Sequence, residues 1–399
     1  MKTNIFFNRE NLLITLLFLF SLLINQYYGN RGLFPPDSFA HFDTGFRILL
    51  GESPFKDYWL VSGALGDYLQ AIFFYFFGVN WQSYVFHASL FNAILTLATY
   101  VVLRNFRLNI YYSFIYSLLF SILAYPSSAT PFVDHHSAFF SLLGIYCLIL
   151  AIRSEKKIYW ILLPVFLGFA FFSKLVPSSY VIIFVILILI FFTFTQGKTY
   201  WIKYTFFSTC LFIIFLLFFG MSQGITLSSF FNQYIFFTQT IGEQRFENLN
   251  FTFRGIIGHF KFIYIAFLPY FYINLKKIFS NKSYFKQKDF IYFLCLLLFT
   301  FSLIFHQILT KNQTFIFFLV PILMAFSHKS LDTYKLNLAS PIYLAMIIIC
   351  LFVTFKYHLR FNENRKFHEL NYVNFDLSIK AQKIDKKLSG LNWITPQFK

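Results

Sequence analysis

The sequence predicts an all-α polytopic membrane protein of about eleven transmembrane helices, with interfacial amphipathic helices in its first outward loop. Three observations carry this. Of 399 residues, 58% are hydrophobic and 24% aromatic, while only 12% are charged. Soluble domains carry about a quarter charged residues, so lipid must be the solvent for most of this surface. Apolar runs recur along the chain at the roughly twenty-residue length that crosses a hydrocarbon core. Between them, short basic segments (Lys2 and Arg9; Arg104 and Arg107; Arg153, Lys156 and Lys157; Lys198 and Lys203; Lys276 through Lys288; Lys329 and Lys335) alternate with segments poor in Lys and Arg. That is the positive-inside pattern, and it places the N-terminus in the cytoplasm. It also accounts for the net charge of +17 without nucleic acid. The 63 Phe residues point to an AT-rich, bacterial source, and hence to the bacterial cytoplasmic (inner) membrane.

The predicted spans cover residues 11–28, 82–103, 109–126, 137–152, 158–174, 177–195, 204–220, 257–275, 289–309, 313–327 and 338–356. The first is an uncleaved span, because Asn25-Gln26-Tyr27-Tyr28 offers no small-residue cleavage site. Residues 1–356 form the transmembrane domain, with outward loops at about 29–80, 126–136 and 221–256. In the first loop, Phe39, Phe42, Phe46 and Leu49 fall at helical spacing, which predicts an amphipathic helix in the interface. A second interfacial helix is expected from Gly63 to Gly78. The tail, 357–399, is polar and expected to be periplasmic. Leu377, Ala381, Ile384 and Leu388 predict one amphipathic helix there, which docks on the membrane domain or begins a domain that this chain does not complete. Cys147, Cys210, Cys295 and Cys350 all lie in apolar runs and read as small buried hydrophobes.

Ionisable groups held in or against a membrane are costly, so each one kept is a functional candidate. The outward segments before the tail hold Asp37, Asp43, Glu52, Asp57, Asp67, Asp134, Glu243 and Glu247, whereas the inward ones hold far fewer acids. Charge on that side brings no topological benefit. Asp37 follows Pro35-Pro36 and opens a helix, where capping is the ordinary role. Asp43 precedes Arg47 by four residues, the spacing of a helical ion pair. His41 stands one turn after Asp37. Asp134, His135 and His136 sit at another helix start. Adjacent histidines on a helix diverge by about 100°, which disfavours a shared metal, and no metal site or cofactor is assigned. A divalent cation is left open. Lys174 ends a very apolar run, where snorkelling competes with binding of a lipid phosphate. Arg245, His306 and Lys311 stand on outward edges and invite the same phosphate-binding reading.

The order of these elements resembles the GT-C membrane glycosyltransferases, in the family 39-like group that includes protein O-mannosyltransferases and aminoarabinose transferases. Asp37, a helix to Gly51, then Ser53-Pro54-Phe55-Lys56-Asp57-Tyr58 and Gly63-Ala64-Leu65 through Phe76-Phe77-Gly78 resemble that group's first outward loop. Val133-Asp134-His135-His136, Gly168 through Lys174, and Asn312-Gln313-Thr314-Phe315 before Val320-Pro321 resemble its bacterial branch. Ser38 stands where many relatives carry a second acid, which weakens a metal role for the first loop. The resemblance implies an inverting glycosyltransferase that moves a sugar from a polyprenyl-phosphate donor to a cell-envelope acceptor hydroxyl. Asp37 would be the base, and Asp134 a partner that positions sugar or acceptor. Lys174, with Lys311 or Arg245 behind it, would bind the phosphate. His41, Asp43, His135, His136 and His306 would line the substrate cavity. A phosphate leaves as an anion, so the general acid of glycoside hydrolysis is not needed. The competing expectations are a transporter or flippase, and a polymerase, of lipid-linked saccharides.

Overall fold

In a computed structural model of the chain, the described residues are 9–31, 37–311, 316–332, 340–363, 376, 379–380 and 392–393. Each of the eleven predicted spans carries a helix. They are α1 (Arg9–Gly29), α4 (Trp81–Asn105), α5 (Ile110–Leu123), α6 (Val133–Ser154), α7 (Lys157–Ser173), α8 (Leu175–Gln196), α9 (Tyr200–Ser222), α12 (Lys261–Ser280), α13 (Lys288–Thr310), α14 (Leu319–Leu331) and α15 (Pro341–His358). Among the described residues, nine helical segments are long and apolar enough to cross a bilayer, and α7 and α14 are shorter apolar helices. The first loop supplies α2 (Asp37–Leu49) and α3 (Leu65–Phe77). The segment read as a polar loop near 221–256 is largely helical. There α10 (Leu227–Phe230) runs through a π-helical turn into α11 (Phe237–Glu247).

Helix α6 is the centre of the bundle, with nearly every residue from Val133 to Ile152 buried. It packs along α7, α8 and α13, while α1 packs on α4 and α5. By contrast α9 turns almost its whole surface outward: Phe206, Phe207, Phe215 and Phe218 are all exposed. In a water-soluble protein that surface would be a liability; against lipid tails it costs nothing.

Contacts between loops define two ends of the bundle. At one end Glu155 accepts from Lys198 at 2.6 Å and Lys288 at 2.9 Å, tying three loops together, and Arg104 pairs with Glu10 at 2.8 Å. At the other end, the loop face, lie α2, α3, the start of α6, the break between α7 and α8, and the α10–α11 segment. Helix α2 lies on α3 across Gly45, where a Cβ would meet the Gln70 side chain at 2.8 Å. Residues Ile379–Lys380 (β1) pair antiparallel with Asn392–Trp393 (β2), so no helix runs through 379–380. The four positions that suggested the helix lie outside the described residues.

Candidate active site

Asp134 stands in the first turn of α6, where the positive end of the helix favours an anion. It is only 7% exposed, and both carboxylate oxygens are engaged. Oδ2 accepts from Lys174 Nζ at 2.6 Å, and Oδ1 is bonded to His306 Nε2 at 3.0 Å. Because the carboxylate accepts, Nε2 carries the hydrogen, and His306 Nδ1 is left buried with no partner among the described residues. Lys174 reaches Asp134 because the chain breaks there. Its backbone is extended (φ −159°, ψ 134°) between α7 and α8. Hydroxyls of Ser137 and Ser178 hold its carbonyl at 3.2 and 2.6 Å. A single bond to Asp134 leaves the other two ammonium hydrogens for a further acceptor. Three candidates far apart in sequence therefore meet at one point. Arg245, exposed on α11, lies within electrostatic reach of His306. Lys311 is exposed at the end of α13, in a left-handed conformation (φ 54°).

The first loop closes over this cluster. Asp37 is the first residue of α2, and its side chain lies outside the described residues. The residue after it is anchored. Ser38 Oγ lies 3.2 Å from Thr130 Oγ1, and Tyr84 donates to the Ser38 carbonyl at 2.8 Å. The start of α2 is thus fastened to the segment that leads into Asp134. Below it, the backbone N–H of Gly63 donates to the carbonyl of Ser173, next to Lys174, at 3.1 Å. A Cβ on Gly63 would collide with the carbonyl of Phe172, so glycine is required for this approach. Asn312 through Phe315 lie outside the described residues.

Asp43 pairs with Arg47 at 2.7 Å on the exposed side of α2, and Arg47 also reaches Glu52 at 3.1 Å. His41 turns inward and bonds through Nδ1 to Asp67 Oδ1 at 3.0 Å. Asp67 is 1% exposed and was not among the expected site residues. Its signal was in the sequence: an acid inside the apolar face of a short helix. Burial first, and the charge of Asp67 second, push the Tyr58 phenol well up and the Tyr68 phenol up to about 12, so both stay protonated. His87, also unforeseen, links Gln70 (2.9 Å) to His136 (3.1 Å), and His136 continues to Tyr125 at 3.2 Å. His135 points elsewhere, to Ser127 at 2.9 Å. The two adjacent imidazoles diverge, as helical geometry requires. Among the described residues no group of three or more His, Cys, Asp or Glu is placed to hold a metal ion.

In sequence, residues 62–222 match the family described as dolichyl-phosphate-mannose-protein mannosyltransferase. None of the curated proteins matches the chain. In structure, the chain is similar to ArnT from Cupriavidus metallidurans, solved bound to undecaprenyl phosphate. The TM-score is 0.55 and the identity 11%, over 85% of this chain and 62% of ArnT. The chain has the GT-C fold. It is also similar to the S. cerevisiae protein O-mannosyltransferase Pmt1-Pmt2 complex bound to the sugar donor. There the TM-score is 0.43 and the identity 20%, over 56% of this chain and 35% of that one. The GT-C chain described here thus spans less than two thirds of the length of either solved structure.

Proposed function

We propose that this protein is an inverting glycosyltransferase. It transfers a sugar from a polyprenyl-phosphate donor to a hydroxyl of a cell-envelope lipid, glycan or protein. The reaction takes place at the outer face of the bacterial cytoplasmic membrane, with the N-terminus in the cytoplasm. The observation that carries this reading is the buried Asp134–Lys174–His306 cluster at the loop face, under the first loop. A leaving phosphate needs fixed cations, and Lys174 has ammonium hydrogens to give, with Arg245 and Lys311 further out. Asp134, with both oxygens engaged, positions Lys174 and is not the proton acceptor. That leaves Asp37, at the head of α2, as the base for the acceptor hydroxyl. The undecaprenyl phosphate in the ArnT structure supports a donor of this lipid class. A flippase would instead need charged groups spread through the bilayer midplane along a translocation path. Among the described residues the ion pairs gather instead at the two ends of the bundle.

Asp37→Asn keeps the size of the side chain and removes the base. Transfer of labelled sugar from lipid-linked donor in membranes should fall to background with protein levels unchanged. Full activity in that variant would overturn the assignment.

A further inference from the structure

A second set of buried polar atoms surrounds the first turns of α3, and the reaction described above makes no use of it. Asp67 gives Oδ1 to His41, while Oδ2 is buried with no partner among the described residues. Gln70, one turn on, faces α2 and α4 instead, and its Oε1 is bonded to His87 at 2.9 Å. The hydroxyls of Tyr58 and Tyr68 are likewise buried and unpartnered. Native proteins rarely leave such atoms unmet, and here three lie together on one short helix and the loop leading to it.

Their chemistry is specific. One carboxylate oxygen accepts, and two phenols donate or accept. That is the complement of neighbouring hydroxyls on a sugar ring, each of which donates and accepts. Phe171 and Tyr234 pack with the same two tyrosines and with Leu60 and Ala64, giving an apolar wall suited to the C–H face of a pyranose or furanose. The carboxylate repels a phosphate, whereas Lys174 attracts one. The two chemistries stand side by side, because the loop between Tyr58 and Asp67 is hydrogen-bonded to Ser173, and Leu175 packs on the same wall. A phosphate bound at Lys174 would bring its glycosyl group within reach of this loop.

We propose that Asp67, Tyr58 and Tyr68 form the subsite that holds the hydroxyls of the donor's sugar, a neutral hexose or pentose. This rests on the glycosyltransferase reading.

The test uses the full chain in lipid nanodiscs. The probes are undecaprenyl phosphate and undecaprenyl-phosphate-linked glucose, mannose, galactose and arabinose, with affinities measured for the unsubstituted protein, Tyr58→Phe and Tyr68→Phe. Either substitution removes only a hydroxyl that has no protein partner, so a merely structural role predicts an unchanged or raised unfolding temperature and unchanged binding. The unsubstituted protein should prefer at least one sugar-bearing lipid over the bare one. Each variant should cut that preference by about 3- to 10-fold, the worth of one hydrogen bond, and leave bare-lipid affinity unchanged. Equal affinity for bare and sugar-bearing lipids in the unsubstituted protein would overturn the subsite alone. So would a preference that survives both substitutions, or a loss shared equally by the bare lipid. Failure to bind even the bare lipid would instead overturn the underlying glycosyltransferase reading.

Discussion

Replacing Lys174 with Met keeps much of the side chain's volume and removes the charge that faces Asp134. At the observed 2.6 Å, two unit charges attract by about 6 kcal/mol if the effective dielectric constant is about 20. The ammonium is 25% exposed, so water screens part of this, whereas the carboxylate side chain is 8% exposed and cannot rehydrate in place. Breaking one side of such a buried pair costs about 3–5 kcal/mol. His306 still donates to the other oxygen at 3.0 Å, which puts Lys174→Met near the lower figure. Asp134→Asn combined with Lys174→Met removes both charges and should recover at least about 2 kcal/mol of that loss, a coupling of the size that contacting residues show. Reversible denaturation in mixed micelles, followed by tryptophan fluorescence, measures all four corners of the cycle. A single variant within about 0.5 kcal/mol of the unsubstituted protein would refute the claim that this pair is buried and coupled.

Other consequences are quicker to test. Gly63→Ala should loosen the first loop from the α7–α8 break, cost about 1–3 kcal/mol, and render residues 53–62 more sensitive to limited proteolysis. Arg47→Ala, in contrast, loses ion pairs to the exposed Asp43 and Glu52 and a loose stacking contact with Tyr58, and should change stability by no more than about 1 kcal/mol in the same denaturation assay. At the opposite end, hydrogen bonds from Lys198 and Lys288 hold the Glu155 carboxyl down to about 2. A depressed carboxyl stabilises the fold above the unfolded value of about 4.3 and loses that contribution as pH falls from there toward about 2. These groups are a third or more exposed, so the effect is at most about 1 kcal/mol. Thermal unfolding from pH 6 down to pH 2.5 should show the gap between the unsubstituted protein and Glu155→Gln closing as pH drops.

Hydropathy alone located the nine bilayer-length segments and the two shorter apolar helices α7 and α14, because a helix in lipid must be apolar over most of its length and little else in a chain is. The interfacial helices were legible too: prolines before Asp37 and glycines around α3 mark their ends. The site was legible in part. Asp134, Lys174 and His306 stood out singly as costly charges, but that they meet depends on how α6, α8 and α13 pack. No local pattern encodes a pairing across 172 residues. Asp67 was visible as an acid and misplaced, since its short helix suggested an exposed interfacial face while its partner His41 lies in another helix. His87 left no trace, for a histidine in an apolar run looks the same whether or not it links Gln70 to His136. The tail strands were beyond reach, because two residues on each side carry no periodicity.

The modest length of α7 has a consequence for where the chemistry happens. Its 17 residues rise about 25 Å, short of the roughly 30 Å thickness of a hydrocarbon core. If its lysine-flanked start sits at one boundary, Lys174 at its far end lies some 5 Å beneath the other. The bilayer must then thin beside α7, or the lipid phosphate must sink to meet the ammonium, and either adjustment carries an elastic cost set by membrane thickness. On the proposed glycosyltransferase reading, acyl-chain length would then control turnover: short-chain bilayers should bring the headgroup to Lys174 at little cost, and thick ones should hold it away.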